Sequence, residues 1–595
     1  MAVDPSGWMP YGPLRWTLVM ATAFLSLSLA AREGMYPERR AFWAWCAFLA
    51  WAAFTSAIAI DPLAAWLGSP DRRMGFVALL AMAAAFHAGQ GVIGHGTRTV
   101  VRAVVVALLA LGAYAIAEGL GWRPIPGLEV TDRAGGPFGS PAYLAAVAVM
   151  LVPPAAGLVF DGAELRAWRW AAGSATAAGV VALALSGTKA GLIGLAVAVM
   201  ISVRVWGRGA IAHPLRFVGV TVWLLLLLAL TPIGARAAAV GDLQAEAVGR
   251  LQEWRVGLMA MAERPLAGTG LEGYRLAFPQ VVDAEYVRTY GREVVTDRAH
   301  SGPLDAGVTL GLPGLLGWLA AVGYLGQRAW RGMSKGPLLA GLGAGVVGYF
   351  AQQLFLFPIV EGDVLAWALA GVLVVGVGPA TAPFRSRAIS WIAGLLAAAA
   401  LIAGTLEVMA DHRAAAALAT GQVQLADEAS RLRPDSYRYR LLAAEMARRE
   451  GDRPGAIERA DAALALSPYD PALGAAKIRL LVEAAETGGQ EELAVAIRAL
   501  RDLIEVDPNQ PDHHQALGVM LARAGDASGA EQAFLMAEFL APASAVPPLS
   551  LAGLYLAAGE YEAAGDALDR AEAIDPGAEG LEDLRRQLED RTGGT

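Results

Sequence analysis

The sequence predicts an all-α protein in two parts: a polytopic transmembrane helical bundle of about 12 spans, then a C-terminal α-solenoid. Three observations point there. Apolar runs of bilayer length recur through the first 411 residues, prolines recur at a fixed period after them, and the charge balance changes at the same boundary. The 595 residues are 56% hydrophobic and 17% charged. Mean hydropathy is +0.45, too apolar for a water-soluble chain of this length. From His412 onward 18 Lys/Arg stand against 31 Asp/Glu, a balance of −13; the whole chain carries −8, which leaves about +5 before it. A basic membrane part and an acidic soluble part follow.

The apolar runs fall near 14–31, 41–60, 74–94, 99–121, 141–160, 168–185, 189–204, 214–232, 311–330, 336–357, 364–380 and 387–409. The first is followed by Arg32-Glu-Gly-Met-Tyr-Pro-Glu-Arg-Arg40, not by a small-residue cleavage site, so it is expected to span. The run at 141–160 carries Pro153-Pro154, an interruption tolerated where protein rather than lipid surrounds the backbone. His87, inside the third run, is expected to pack. Cys46 is the only cysteine, which excludes a disulfide framework or a cysteine metal cluster within one chain.

Orientation follows from the short loops. Arg32, Arg39 and Arg40, then Arg98 and Arg102, Arg166 and Arg169, Arg204, Arg208 and Arg216, Arg328, Arg331 and Lys335, and Arg385 and Arg387 fall on one side, which is cytoplasmic. The opposite loops are then extracytoplasmic, as are both chain ends.

One of those opposite loops is long. Thr231 to Pro313 is mostly polar, with helical periodicity and turn signals, as expected of a folded, functional segment. Leu251, Trp254, Leu258 and Met261 share one helix face, with Arg250 at its edge. Pro265 ends that helix and Gly268-Thr-Gly270 turns. Asp283, Glu285, Glu293 and Asp297 read as solvated charge, and His300-Ser-Gly-Pro303 leads into the next span.

After residue 411, Pro434, Pro468, Pro508, Pro542 and Pro576 are spaced 34, 40, 34 and 34, with an insertion around Thr487-Gly-Gly-Gln-Glu-Glu492. Small residues recur inside the units: Gly518, Ala530 and Ala537 before Pro542, and Ala564 and Ala571 before Pro576. This resembles the tetratricopeptide repeat, two helices per unit closed by proline. About four repeats are expected, with 412–433 as a partial cap and a concave face open to a protein partner. His513-His514 are expected at the surface, since neighbours do not share a helix face.

Polar residues at span edges are expensive and often functional. On the extracytoplasmic side stand Arg73, Arg133 in a Gly/Pro-rich loop, Lys189 after Ser186-Gly-Thr, Arg250 and His300. Positive charge is disfavoured on that side for topology, so the cluster points to an anionic headgroup such as a pyrophosphate.

These residues resemble the O-antigen ligase and polymerase superfamily over roughly residues 55–380. The likeness rests on Arg73-Met-Gly75, Arg133-Ala-Gly-Gly-Pro-Phe-Gly-Ser-Pro141, Ser186-Gly-Thr-Lys189, Arg250 to Trp254 with Arg264-Pro-Leu-Ala-Gly-Thr-Gly270, and Ala299-His300 before Gly311-Leu-Pro-Gly314. Members ending in tetratricopeptide repeats also occur. The resemblance implies transfer of a glycan from an undecaprenyl-pyrophosphate carrier to a lipid A-core, other glycan or protein acceptor, on the periplasmic face of a bacterial inner membrane, without metal, nucleotide or other cofactor. It implies a catalytic or acceptor-positioning role for His300, catalytic pyrophosphate contact by Arg250, and donor binding by Lys189 with Arg133 or Arg73 in support. Two positions depart from the family: Lys189 where arginine is usual, and Ser301 where asparagine is usual. Lysine keeps the charge and loses the bidentate fork.

The chemistry fits the residues. A base near the acceptor hydroxyl and charge opposite the departing pyrophosphate are what inverting transfer needs. No Walker loop, His-Glu-x-x-His sequence or nucleotide fingerprint occurs, and no nucleic-acid partner is expected. The expected domains are transmembrane helices 1–8 over 1–232, an extracytoplasmic catalytic loop over 233–310, helices 9–12 over 311–411 and repeats over 412–595. Two other readings are a polymerase of the same superfamily and a non-enzymatic membrane-anchored scaffold. A mere anchor needs one span and no Arg/His set. A flippase would call for ionisable residues near mid-span, where these runs carry few.

Overall fold

The computed structural model describes residues 2–92, 96–123, 125, 128, 133–212, 240–292, 296–378 and 382–593. The expected span at 214–232, Arg216 and Glu293 lie outside them. There are two compact units. The membrane unit takes Met1–Tyr274, Arg298–Thr420 and Arg431–Arg433; the repeat unit takes Arg275–Asp297, Gly421–Ser430 and Pro434–Thr595. Among the described residues the structure is helical without a strand, apart from an isolated antiparallel bridge between Met35 and Phe384.

In chain order the helices are α1 (Pro13–Glu33), α2 (Arg39–Ala57), α3 (Pro62–Leu67), α4 (Phe76–Gly89), α5 (Thr97–Gly119), α6 (Pro141–Val159), α7 (Arg166–Ser186), α8 (Lys189–Ala212) and α9 (Val240–Glu263). After α10 (Tyr274–Val281) and α11 (Ala284–Tyr290) come α12 (Gly302–Gly332), α13 (Pro337–Gln352), α14 (Val360–Val377) and α15 (Arg387–Thr420). Each expected span on described residues coincides with one of these helices. Among the described residues six helices are long and apolar enough to cross a membrane: α1, α5, α6, α12, α14 and α15; α4, α13 and the first part of α8 are shorter apolar helices.

The core of the membrane unit is α6, whose residues from Leu144 to Leu158 are all buried. Its Pro153-Pro154 pair lacks the two N–H groups that would reach the carbonyls of Val149 and Met150. Protein surrounds this break, as the sequence predicts. Gly345 of α13 packs so closely on the Met150 carbonyl that a side chain there would collide with it. His87 packs between Phe42 and Phe86 and meets Gln90 Oε1 at 2.9 Å.

Helix α12 is broken at Gly311, where φ is 71° and ψ is −171°. Pro313 has no N–H for the Thr309 carbonyl, which leaves that carbonyl without its helical donor. The turn after α9 repairs the break. Gly270 N–H donates to Thr309 O at 3.0 Å, Thr269 N–H to Val308 O at 2.9 Å, and Leu312 N–H to Pro265 O at 2.8 Å. The Trp51 indole donates to Leu310 O at 2.8 Å. A side chain at Gly311 would collide with the Leu266 carbonyl.

The repeat unit pairs α17 (Tyr437–Glu450) with α18 (Arg453–Leu464), α19 (Pro471–Thr487) with α20 (Gln490–Val506), α21 (Pro511–Arg523) with α22 (Ala527–Leu540), and α23 (Val546–Ala558) with α24 (Tyr561–Ile574). Before them lies α16 (Val423–Leu432) and after them α25 (Leu581–Thr592). The four pairs match the proline period. The longer spacing arises because α19 and α20 have 17 residues each against 13 or 14 in α21 and α22. Small residues sit where the pairs touch: Ala530, Ala564 and Ala571 are fully buried, and a side chain at Gly518 would strike the Phe534 ring.

Two expected boundaries shift. Helix α15 runs unbroken past residue 411, so the repeat unit starts at Gly421, and only Gly421–Ser430 of the expected cap belongs to it. The long loop is divided, its Arg275–Asp297 segment belonging to the repeat unit. His513 corrects the surface expectation: it is 7% exposed, while His514 is half-buried and meets Pro508 O at 2.7 Å.

Candidate active site

Three described residues other than glycine have a left-handed backbone: Arg73 (φ 57°), Glu272 (φ 62°) and His300 (φ 47°). Each such conformation costs on the order of 1–3 kcal/mol and clusters at functional sites. Here the three belong to one network. The Glu272 carboxylate, 2% exposed, accepts from Met74 N–H at 2.7 Å, from Ser69 Oγ at 3.1 Å and from Arg298 at 2.7 Å. Arg298 also meets Asp305 at 3.4 Å. One buried carboxylate therefore ties the loop around Arg72-Arg73 to the strand of chain that delivers His300.

His300 leaves this network into α12. Ser301 is extended, Pro303 occupies the first turn, and Gly302 N–H donates to Gln353 O at 2.6 Å. The Gln353 amide in turn donates to the buried Asp363 at 2.9 Å. These bonds leave the imidazole edge-on to Phe357, ring centroids 5.3 Å apart. On the same Phe357 ring lies the Arg72 guanidinium, 4.8 Å from the centroid, which also donates to the Tyr143 hydroxyl at 2.8 Å. An imidazole and a guanidinium thus share one aromatic platform.

Arg73, the residue singled out from sequence, goes elsewhere. It pairs with Glu407 at 2.6 Å and lies over Trp16. Glu407 is 2% exposed and also binds Arg433. The left-handed φ at Arg73 turns the two adjacent arginines to different partners.

Arg133 opens a loop closed by a short 3₁₀ turn at Gly136–Phe138. Ala134 N–H donates to Leu185 O at 3.2 Å, which sets this loop against the turn preceding Lys189. Gly136 N–H donates to Glu118 at 2.7 Å, and Arg15 donates to Pro137 O at 2.8 Å. Lys189 is the first residue of α8. The loop that begins at Arg133 is thus held against the end of α7, four residues before Lys189.

Arg250 pairs with Glu253 at 2.8 Å one turn on, and its side chain is 41% exposed. Burial raises the Glu253 carboxyl above its usual range, while Arg250 pulls it down. The buried face of α9 differs from the expected stripe. Leu251 and Leu258 are exposed. Gly257 faces Leu304 and Ala299, and Trp254 meets Phe355 at 5.8 Å. Glycine, absent from a hydrophobic pattern, is what lets the helix approach.

Arg72, Glu272, Arg298 and Phe357 escape sequence reasoning. Their only signals were a doubled arginine in a Gly/Pro-rich loop and a carboxylate two residues after Gly270.

The O-antigen ligase family model matches residues 174–319, a stretch that includes Lys189, Arg250 and His300. No curated protein matches the chain. Among solved structures the chain is similar to YrrB, a TPR protein with an unusual peptide-binding site, at 18% identity over 29% of this chain and 88% of that one, TM-score 0.25. It is similar to a thermophilic TPR protein of Thermus thermophilus at 21% identity over 30% and 90%, TM-score 0.24. MamA of Desulfovibrio magneticus RS-1 matches at 13% identity over 29% and 97%, TM-score 0.26. The repeat assignment rests on the helix pairs themselves, not on these scores. Residues 174–319 thus match the O-antigen ligase family, a match that supports a ligase- or polymerase-type membrane glycan enzyme, and the helix pairs after Gly421 form repeats of the tetratricopeptide type.

Proposed function

We propose that the protein moves a glycan from an undecaprenyl-pyrophosphate carrier to an acceptor at the periplasmic face of a bacterial inner membrane, as an O-antigen ligase does. The observation that carries this reading is the pairing of His300 with Arg72 across Phe357, inside the network of left-handed residues. A neutral imidazole accepts the acceptor's hydroxyl proton as the hydroxyl oxygen attacks the anomeric carbon. The bond from that carbon to the pyrophosphate breaks, and the departing oxygens take up negative charge. Arg72, Lys189, Arg133 and Arg250 supply positive charge for them. Arg73 is held by Glu407, so donor binding is assigned to Arg72 in its place. In this reading no metal or other cofactor takes part. The acceptor is lipid A-core, another glycan or a protein, and the solenoid's concave face serves a protein partner. Twelve spans, with the long loop and both chain ends outside, complete the topology.

On purified protein, His300→Ala should lower transfer by about 10²–10⁴ while lipid-linked donor still binds. His300→Lys should not restore it, because a protonated amine is no base. Transfer by His300→Ala at the wild-type rate would remove the base. Deleting the gene separates ligase from polymerase: lipid-linked polymer accumulates in the first case, single repeat units in the second. An active phosphatase fused at Thr595 supports the topology, and an active cytoplasmic reporter there overturns it.

A further inference from the structure

All three arginines of Arg275–Asp297 are engaged by the repeats. Arg275 pairs with Asp470 and lies 5.5 Å over the Tyr437 ring. Arg288 lies 4.6 Å over Phe539. Arg292 donates to Asp507 at 2.9 Å, with side chains 2% and 4% exposed. The Asn509 amide adds a bond to Val282 O at 2.8 Å. The residues joined by these hydrogen bonds stand 195 to 227 positions apart in the chain.

The partners share one sequence position. Tyr437 follows Pro434, Asp470 follows Pro468, Asp507 and Asn509 flank Pro508, and Phe539 precedes Pro542, each within three residues of its proline. The segment therefore meets the chain around four of the five prolines: Arg275 beside Pro434 and Pro468, Val282 and Arg292 beside Pro508, and Arg288 beside Pro542. A solenoid repeats its edge as faithfully as its concave face, and here the edge is used.

The chemistry of the docking argues for register rather than simple adhesion. Arg292 Nε and Nη1 are buried without a hydrogen-bond partner. A buried ion pair of that kind is weak evidence for stability, and fixing register is its best-attested use. The tether from this docking to the site is short: Arg298, which binds Glu272, follows Arg292 by six residues, and His300 comes two residues later. Six residues of chain reach no more than about 20 Å.

We propose that the repeat edge is a clamp whose ligand is this chain's own loop, and that Arg292 and Asp507 are positioning residues acting on the reaction through the His300 segment. This inference rests on the transfer reading above. It makes the repeats a working part of the enzyme, and the edge unavailable to a separate protein.

The test uses the full-length protein in lipid. Arg292→Asp and Asp507→Arg should each expose 275–292 to hydrogen exchange. They should lower kcat by about 10- to 100-fold, with the KM for lipid-linked donor unchanged. The double variant, with the charges exchanged, should restore both protection and kcat, and Arg292→Lys should keep most of each. Exposure of the segment with unchanged kcat overturns the proposal. So does a segment that stays protected in both single variants, or a double variant no better than either single. Failure of the transfer reading is seen separately, as His300→Ala retaining activity while the exchange pattern stands.

Discussion

Replacing Glu272 by alanine should unfasten the site without touching His300. In the native protein the Glu272 carboxylate, almost without exposure, accepts three hydrogen bonds, from Met74 N–H, Ser69 Oγ and Arg298. Removing one partner of a buried ion pair costs about 3–5 kcal/mol, because the other charge stays buried. Arg298 keeps Asp305 at 3.4 Å, which places the expected loss at the lower end, about 3 kcal/mol. Glu272→Gln keeps the shape and an acceptor, so about half that loss is expected. The left-handed backbone supplies a control. Glu272→Gly relieves strain of roughly 1–2 kcal/mol, so glycine should be less damaging than alanine yet still worse than wild type. Thermal unfolding of purified protein in lipid, alongside transfer measured well below the midpoint, reads both effects. Transfer should fall further than unfolding alone explains, since the Arg72 loop and the His300 segment lose their common tie. An alanine variant with wild-type midpoint and wild-type transfer refutes the network.

Further outcomes follow from other parts of the molecule. Arg72→Ala should weaken donor binding, whereas Arg73→Ala should chiefly lower the unfolding midpoint by leaving the buried Glu407 with Arg433 but without Arg73; binding assays with lipid-linked donor separate them, and the reverse pattern would restore Arg73 as the donor cation. Lys189→Arg should keep or raise turnover, because a guanidinium offers pyrophosphate a bidentate fork; a dead but folded variant would remove Lys189 from the donor site. Gly311→Ala should destabilise strongly, since the new methyl meets the Leu266 carbonyl at a left-handed position; an unchanged midpoint would mean the turn can move away. Burial depresses His513 to about 4, against about 6.5 in an unfolded chain. The unfolded state thus binds the extra proton first, and stability is lost as pH falls from about 6.5 towards 4, by up to about 3 kcal/mol. Burial raises neighbouring Asp507, which acts in the opposite sense, so the measurement is the difference between wild type and His513→Gln. The fall in midpoint between about pH 7 and pH 5 should be shallower in the variant; equal slopes refute the assignment.

Most of the fold was legible because it depends on signals that repeat. Hydropathy marked the apolar helices on described residues, six of them long enough to cross a membrane, and the proline period marked each pair in the solenoid. The turn at Gly268-Thr-Gly270 was legible because glycine signals left-handed backbone, and both glycines adopt it. The site was less legible because its residues act singly. Arg72 and Arg73 look alike as letters, and only the left-handed φ at Arg73 separates their partners. Glu272 reads as one more loop carboxylate, since nothing local reveals its burial. The packed face of α9 was misread because Gly257, not Leu258, lies against α12. His513 looked like a surface residue because its burial is decided by long-range packing, which helix periodicity does not encode.

The break at Gly311 links the order of assembly to the solvent. Three consecutive carbonyls of α12 take their donors from Thr269, Gly270 and Trp51 rather than from their own helix. In hydrocarbon each carbonyl left bare costs several kcal/mol. In the topology proposed above, a chain whose loop has not yet crossed the bilayer could not bring Thr269 and Gly270 to that place, so the upper part of α12 would not settle in lipid before translocation is complete. The break at Gly311 would then act as a checkpoint on insertion, penalising every intermediate in which the segment that carries His300 is still on the wrong side.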